Sequence, residues 1–483
     1  MNDWLPRALR EGALSQLDAR LARDPGAIDA RFQRACLLAE LGRVEEARRA
    51  YLDVLARDST HAGALNNLGT LLYATGYRSA ACTAYARAAT VHPGDPMGHV
   101  NVANVLRETG ELAAARGHYE TALRLAPDHA EAHQGFAMLL AEEGDAAAAA
   151  LHRRRGFRDR AVTSLPYYGD GPPMRLLLLV SAVGGNVPIR PLLDDRVFSI
   201  VVIVVEFYDA SVALPPHQLV FNAIGDADLC APGLEAAAAI LARTTAPVIN
   251  PPTSVLATGR VSNAGRLALL PGVLAPMTVG LPRERLAAPD AAASLGRRGF
   301  AFPLLLRAPG FHAGRHFLRV ETPDQLPAAI GAIPGPDLVI IQYLDARGAD
   351  GNARKYRVMI VDGEIYPLHL AISSQWKVHY FTADMAERPE HRAEEAEFLA
   401  DMKAVLGERG IAALERVRDA LGLDYAGVDF AINADREIVV FEANATMVVN
   451  PPDPDQRWTY RRDAADRVQG AVRKMLIKKA IGN

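Results

Sequence analysis

The stretch GVDFAINADREIVVFEANAT, residues 427 to 446, reads as two apolar runs around a polar turn. Short apolar runs bounded by turn residues are strands, and a strand alternates its side chains between two faces with a period of 2. Glu442 and Asn444 therefore share one face while Ala443 takes the other. Two oxygen donors side by side suit a hard cation; they equally suit the rim where a strand simply ends. The chain around them has to decide.

Upstream lie the strand PLLLRA (303 to 308), a glycine-bearing loop PGFHAGRH, a helix near 323 to 333, and the strand LVIIQYL. RKYRVMIV, a DGE turn, IYPLHLAI and two polar helices across 388 to 422 follow. Two runs of antiparallel strands with helices behind them predict one domain of two α+β lobes. Earlier still, the strands RLLLLVSAV, VFSIVVIVVEF and HQLVFNAIGDAD, an Ala-rich helix from about 234 to 243 and a short strand PVIN alternate as in a parallel sheet. GGN at 184 to 186 follows the first of these strands, but without GxGxxG spacing or an acidic partner it is a weak dinucleotide signal.

The first third has a different grammar. Gly42, Gly76, Gly110 and Gly144 recur every 34 residues, the tetratricopeptide period. Ala47, Ala81, Ala115 and Ala149 keep step, as do Tyr51, Tyr85 and Tyr119, and Pro93 and Pro127 close two repeats. Ala35, Gly69, Ala103 and Ala137 are small where two helices must approach closely, with the tyrosines filling the space beyond. Ala13, Leu17 and Pro25 are in register upstream, and Arg153 replaces the tyrosine downstream, which marks capping helices. Such an array either offers a concave surface to a peptide or protein or serves as a scaffold for dimerisation or for docking on the chain's own second half. Asn66, Asn67, Asn101 and Asn104 carry amides suited to an extended backbone and equally to solvent.

A chain of 483 residues, half of them apolar, has two to four domains. A net charge of −3 gives no pull toward nucleic acid or an anionic membrane. The opening MNDWLPRALREGAL has no apolar core of signal-peptide length and no run of about 18 apolar residues occurs, so the expected location is cytoplasmic. Cys36, Cys82 and Cys230 are scattered and odd in number, with neither a disulfide framework nor a zinc pattern.

Residues 174 to 480 resemble, in order and without a large gap, the ATP-grasp superfamily of glutathione synthetase and D-alanine:D-alanine ligase. The resemblance implies ATP and Mg²⁺ (or Mn²⁺) as cofactors, with Asp429, Glu442 and Asn444 as metal ligands. It implies an adenine read by the main chain of Gln342, Tyr343 and Leu344, a ribose reached by Asp345, and phosphates covered by a loop holding Gly310, His312 and Gly314. Arg357 matches a basic residue that offsets charge on the transferred phosphoryl group. Two phosphate-binding lysines of the family are Arg260 and Arg307 here, and the family's substrate-side arginine is Gly427. Lys377 and His379, or Arg461 and Arg462, are the residues available to replace that charge.

The expectation is therefore a multidomain chain: an all-α solenoid over 1–160, a linker over 161–173, an α/β domain over 174–255 and the two ATP-grasp lobes over 256–483. The implied function is an ATP-dependent carboxylate–amine ligase acting through an acyl phosphate, its solenoid recruiting a peptide or protein. A small-molecule carboxylate or amine is the second substrate, and a homo-oligomer stays open. The rivals are a catalytically inactive ATP-binding scaffold, motivated by the arginine-for-lysine changes and the missing substrate-side arginine, a small-molecule kinase, and a pure scaffold whose second half binds no nucleotide.

Overall fold

The computed structural model describes residues 7–189, 192–311, 314–378, 383–450, 452 and 455–482. His312 and His379 lie outside the described residues. Two compact units divide the chain: 1–177 with 193–217 and 451–455, and 178–192 with 218–450 and 456–483.

The first unit begins with helices α1 (Arg7–Arg23), α2 (Ile28–Glu40), α3 (Val44–Arg57), α4 (Ala62–Ala74), α5 (Arg78–Val91), α6 (Pro96–Thr109), α7 (Leu112–Leu125), α8 (Ala130–Glu142) and α9 (Ala146–Phe157). From α2 onward they form antiparallel pairs. The turn inside each pair is made by Gly42, Gly76, Gly110 or Gly144 at φ +68°, +90°, +87° and +89°, a left-handed conformation that side chains resist. Close approach explains the small residues of the repeat. A Cβ on Gly69 would lie 2.6 Å from the Tyr85 ring, and Ala35, Ala103 and Ala137 are fully buried at the equivalent places. Tyr51, Tyr85 and Tyr119 fill the remaining space, at most 6% exposed. The asparagine amides are partly engaged within the array: Asn101 Nδ2 donates to Asn66 Oδ1 at 3.1 Å, and Asn104 Oδ1 accepts from the Tyr119 hydroxyl at 2.6 Å.

The α/β part has strands β1 (Val162–Ser164), β2 (Met174–Val180), β3 (Phe198–Val204), β4 (Leu219–Asn222), β5 (Val248–Ile249), β6 (Val273–Leu274) and β7 (Thr278–Pro282). They are followed by β8 (Leu304–Arg307), β9 (Phe317–Val320), β10 (Asp337–Gln342), β11 (Ala353–Val361), β12 (Glu364–Ser373), β13 (Tyr425–Ile432) and β14 (Ile438–Asn444). Residues 161–173, read as linker, contain β1, which pairs antiparallel with β3 from Val162↔Ile203 to Ser164↔Val201. Three residues are too few to display a period. In the second unit β4 runs parallel to β5.

Two further sheets in the second unit hold the chemistry. One is antiparallel, in the order β7-β10-β8-β9. The other has the order β12-β11-β13-β14-β6, antiparallel except for β6 beside β14. β13 is buried from Tyr425 to Ala431, which is why it reads as one continuous apolar run broken only by Asp429. No described helix is long and apolar enough to cross a membrane.

Candidate functional site

A cleft with about 790 Å³ of open space lies in the second unit. It is lined by Asp226 and Asp228 after β4, Arg260 and Asn263 of the helix Arg260–Leu267, Arg307 and Gly310 at the end of β8, and Phe441, Glu442 and Asn444 of β14. Local alternation sets the arginine: Leu304 and Leu306 are fully buried in the sheet's core, so Arg307 takes the opposite face. Burial, and then the charge of Arg260, push its guanidinium down to about 10. Its Nη2 donates to the Phe311 carbonyl, tying the first turn of the glycine loop. Gly310 and Gly314 adopt φ +75° and +71°, and Lys377 donates to the Gly314 carbonyl. Burial and then Arg307 lower the pKa of Lys377.

Arg260 is held from two directions. Its main-chain N–H donates to Asp228 Oδ2 at 2.9 Å, and its Nη2 donates to Glu442 Oε1 at 2.7 Å. The same Glu442 oxygen accepts from Asn444 Nδ2 at 2.9 Å, while Asn444 Oδ1 accepts from the Thr446 N–H and hydroxyl at 2.9 and 2.8 Å.

A row of charged residues crosses the five-stranded sheet in register: His369 of β12, Arg357 of β11, Asp429 of β13 and Glu442 of β14. A β-bulge adjoins the row on each side, with Leu368 the extra residue in β12 and Phe441 the extra residue in β14. Bulges re-aim side chains, and this one leaves Phe441 37% exposed. Asp429 is 3% exposed and held by both Arg357 nitrogens, Nε–Oδ1 2.6 Å and Nη2–Oδ2 2.8 Å, and by Lys355 Nζ at 3.0 Å. Burial alone would raise this carboxyl, but Arg357 and Lys355 hold it well below the usual carboxylate range. Burial, reinforced by Arg357, pushes His369 well below its ordinary value, so it is neutral at pH 7.

The structure thus brings together Arg260, Arg307, Gly310, Glu442 and Asn444, which come from distant parts of the chain. Asp429 is in register with Glu442 but does not line the cleft, and its oxygens face two cations. Val339 and Ile341 of β10 line the cleft; Gln342 to Asp345 do not. Gln342 exchanges hydrogen bonds with Met277 at 2.8 and 3.2 Å. Tyr343 carries the Arg319 guanidinium 4.1 Å from its ring centroid, Leu344 is half-buried, and Asp345 pairs with Arg347 at 2.6 Å. Arg461 is committed to the fully buried Glu395 at 2.7 Å, whereas Arg462 is exposed at the start of the helix Arg462–Ile481. At Gly427 a Cβ would meet Met447 at 2.4 Å, so Met447 fills the space that an arginine there would need.

Asp226, Asp228, Lys355 and Phe441 were not singled out in the sequence. The acids had a signal, since GDAD after a strand repeats the two-apart logic of Glu442 and Asn444; so did Lys355, one strand period before Arg357. The bulge at Phe441 had none.

The tetratricopeptide repeat family model matches residues 28–61. These residues are a tetratricopeptide repeat. Among curated proteins none matches the chain. Solved structures similar to part of it include MamA from Desulfovibrio magneticus RS-1, at 19% identity over 31% of this chain and 87% of that one with a TM-score of 0.29. YrrB, described as a tetratricopeptide protein with an unusual peptide-binding site, gives 19%, 32%, 79% and 0.28. The VanG D-Ala:D-Ser ligase from Enterococcus faecalis gives 14% identity over 64% of this chain and 100% of that one, with a TM-score of 0.41.

Proposed function

We propose that residues 174–483 form an ATP-grasp carboxylate–amine ligase and that the tetratricopeptide array recruits its peptide or protein substrate. The observation that carries this is the convergence of Arg260, Arg307, Gly310, Glu442 and Asn444 on one cleft. Two guanidiniums and a left-handed glycine suit phosphate oxygens, since arginine binds them in a fork and glycine admits close backbone approach.

The fit to magnesium is partial. Carboxylate and amide oxygens are the right donors and Glu442 and Asn444 line the cleft, but Glu442 Oε1 already accepts from Arg260 and Asn444 Oδ1 from Thr446, so both would have to exchange these partners for the ion. Among the described residues, however, no group of three or more His, Cys, Asp or Glu is arranged to hold a metal. We assign Glu442 and Asn444 as the donors and Asp429 as the carboxylate that keeps Arg357 and Lys355 in place. When bound, the magnesium nucleotide would supply the phosphoryl group and its charge neutralisation. The chain's own part is electrostatic: Arg260 and Arg307 grip phosphates and Gly310 and Gly314 shape the loop, while Arg357, paired with Asp429 and outside the cleft lining, would have to release that partner to meet a phosphoryl group.

Gly427 favours a second reading. With Met447 in the place of a substrate-side arginine, the same cleft suits an ATP-binding scaffold or a kinase that stops at phosphorylation. Calorimetric titration with ATP and magnesium tests both. Binding is expected with magnesium and weakened by Glu442→Gln, and Arg307→Met should lose about ten- to a hundred-fold in affinity, the worth of one charge-assisted contact. Equal affinities across the wild type and both variants would remove the nucleotide site. ADP release with a panel of carboxylates and amines then separates ligase from scaffold, and product mass separates ligase from kinase.

A further inference from the structure

Two histidine pairs repeat with the solenoid's period. His99 of α6 and His118 of α7 face each other Nδ1 to Nδ1 at 3.0 Å, and His133 of α8 and His152 of α9 do the same at 2.8 Å. The outer ring nitrogens are tied as well: His99 Nε2 lies 3.1 Å from the Pro93 carbonyl and His133 Nε2 2.9 Å from the Pro127 carbonyl. Each member of one pair is 34 residues from its counterpart in the other, prolines included.

These contacts dictate where the protons are. A carbonyl only accepts, so His99 and His133 carry hydrogen on Nε2 and present a lone pair at Nδ1. Their partners must therefore donate from Nδ1. One proton sits between the rings of each pair, and a first added proton can go to the outer nitrogen of His118 or His152 without breaking that bond. A second must go to Nδ1 of His99 or His133, which removes the acceptor and sets two cations about 3 Å apart.

The repeat fold does not require this arrangement. The corresponding positions of the second repeat hold Leu65 and Ala84, both buried, and those of the first hold Arg31 and Ala50. The pairs are an addition to the third and fourth repeats. We propose that they are two proton-operated clasps, each stable with at most one extra proton, that release α6 from α7 and α8 from α9 as the medium acidifies.

The surroundings favour the neutral state. Burial lowers the pKa of His118 and His152, helped in each case by the partner histidine, and burial lowers His133 despite its bond to Pro127. Arg155 adds to this at the second pair, Asp128 opposes it, and His129 adds a smaller push. Phe136 closes that pair with its ring edge-on to His152 at 4.8 Å. Groups whose folded pKa lies below the unfolded value of about 6.5 give stability that is complete above that pH. It declines as pH falls toward the folded values, because there the unfolded chain binds more protons.

One confounding group has an internal control. His129 caps α8 by accepting the Ala132 N–H, and His61 caps α4 by accepting the Ala64 N–H. Loss of caps therefore affects the second and fourth repeats alike.

Hydrogen exchange of the full chain, read by mass spectrometry at pH 7.5 and 5.0 and corrected for intrinsic rates, tests the clasps. Protection of α6–α9 should be lost relative to α2–α5 at pH 5.0 and not at pH 7.5. In His118→Asn/His152→Asn, where the amide takes no proton and can turn its oxygen toward a protonated Nδ1, the hydrogen bond survives at either pH and this difference should vanish. If those variants do not fold, His99→Leu/His118→Ala and His133→Leu/His152→Ala borrow the second repeat's own packing and should likewise abolish it. Equal loss of protection in both halves of the array, or an unchanged difference in the variants, overturns the proposal.

Discussion

In the solenoid, a residue's meaning is set by its distance from the last glycine; in the five-stranded sheet it is set by strands tens of residues away. Tyr51, Tyr85 and Tyr119 do one job at one spacing, filling the gap between paired helices. Arg357 and Asp429 have no such rhythm, and their pairing exists only because β11 and β13 lie in register. The first region stores its stability in repeated apolar contacts. The second accepts a buried ionic row whose members are stable only together.

That contrast can be broken by substitution, and the largest effect belongs to the row. Asp429→Asn leaves Arg357 and Lys355 close together without a counter-charge, and breaking a buried pair from one side costs roughly 3–5 kcal/mol. Urea unfolding of the full chain should show the loss in the second unit; a shift of only a few tenths would mean that the row is solvated. Next is Gly69→Val, whose Cβ must intrude on Tyr85, an overpacking worth about 1–3 kcal/mol. Thermal melting followed by far-ultraviolet circular dichroism reads it, and an unchanged helical transition would deny the close approach.

Gly76→Ala sharpens the comparison differently. No atom lies within 4 Å of the added methyl, so only the left-handed backbone opposes it, at about 1 kcal/mol. A neutral result would place the cost of the turn elsewhere. The smallest effect is expected from Glu46→Gln, which removes the exposed pair with Arg43 on the solenoid surface. Its melting midpoint should match the wild type within error.

The legible and illegible parts divide along the same line. The glycine, alanine and tyrosine positions of the repeats could be read directly, because one helical pair must pack on the next and each position recurs. In the second unit, strands such as β13 and β14 were visible as apolar runs, and a period of 2 puts Glu442 and Asn444 on one face, where Asn444 Nδ2 donates to Glu442 Oε1. Asp429 was read as a metal ligand and not as the partner of Lys355, since nothing local announces a contact across 74 positions (429 − 355). Gln342 to Asp345 sit at the end of β10 as the pattern requires, yet alternation turns the neighbouring Val339 and Ile341 to the cleft. Phe441 was hidden because a bulge adds one residue without altering composition.

The left-handed glycines have a consequence for how such a chain can change length. Because Gly76 and Gly110 occupy the same conformation at the same point of the repeat, excising residues 77–110 would join Gly76 to Glu111, the residue that now follows Gly110. The new junction repeats an existing one, so α4 would meet α7 through the turn that now joins α6 to α7. Whole repeats are thus interchangeable lengths of chain, and the array can be shortened or extended by recombination without inventing a new turn.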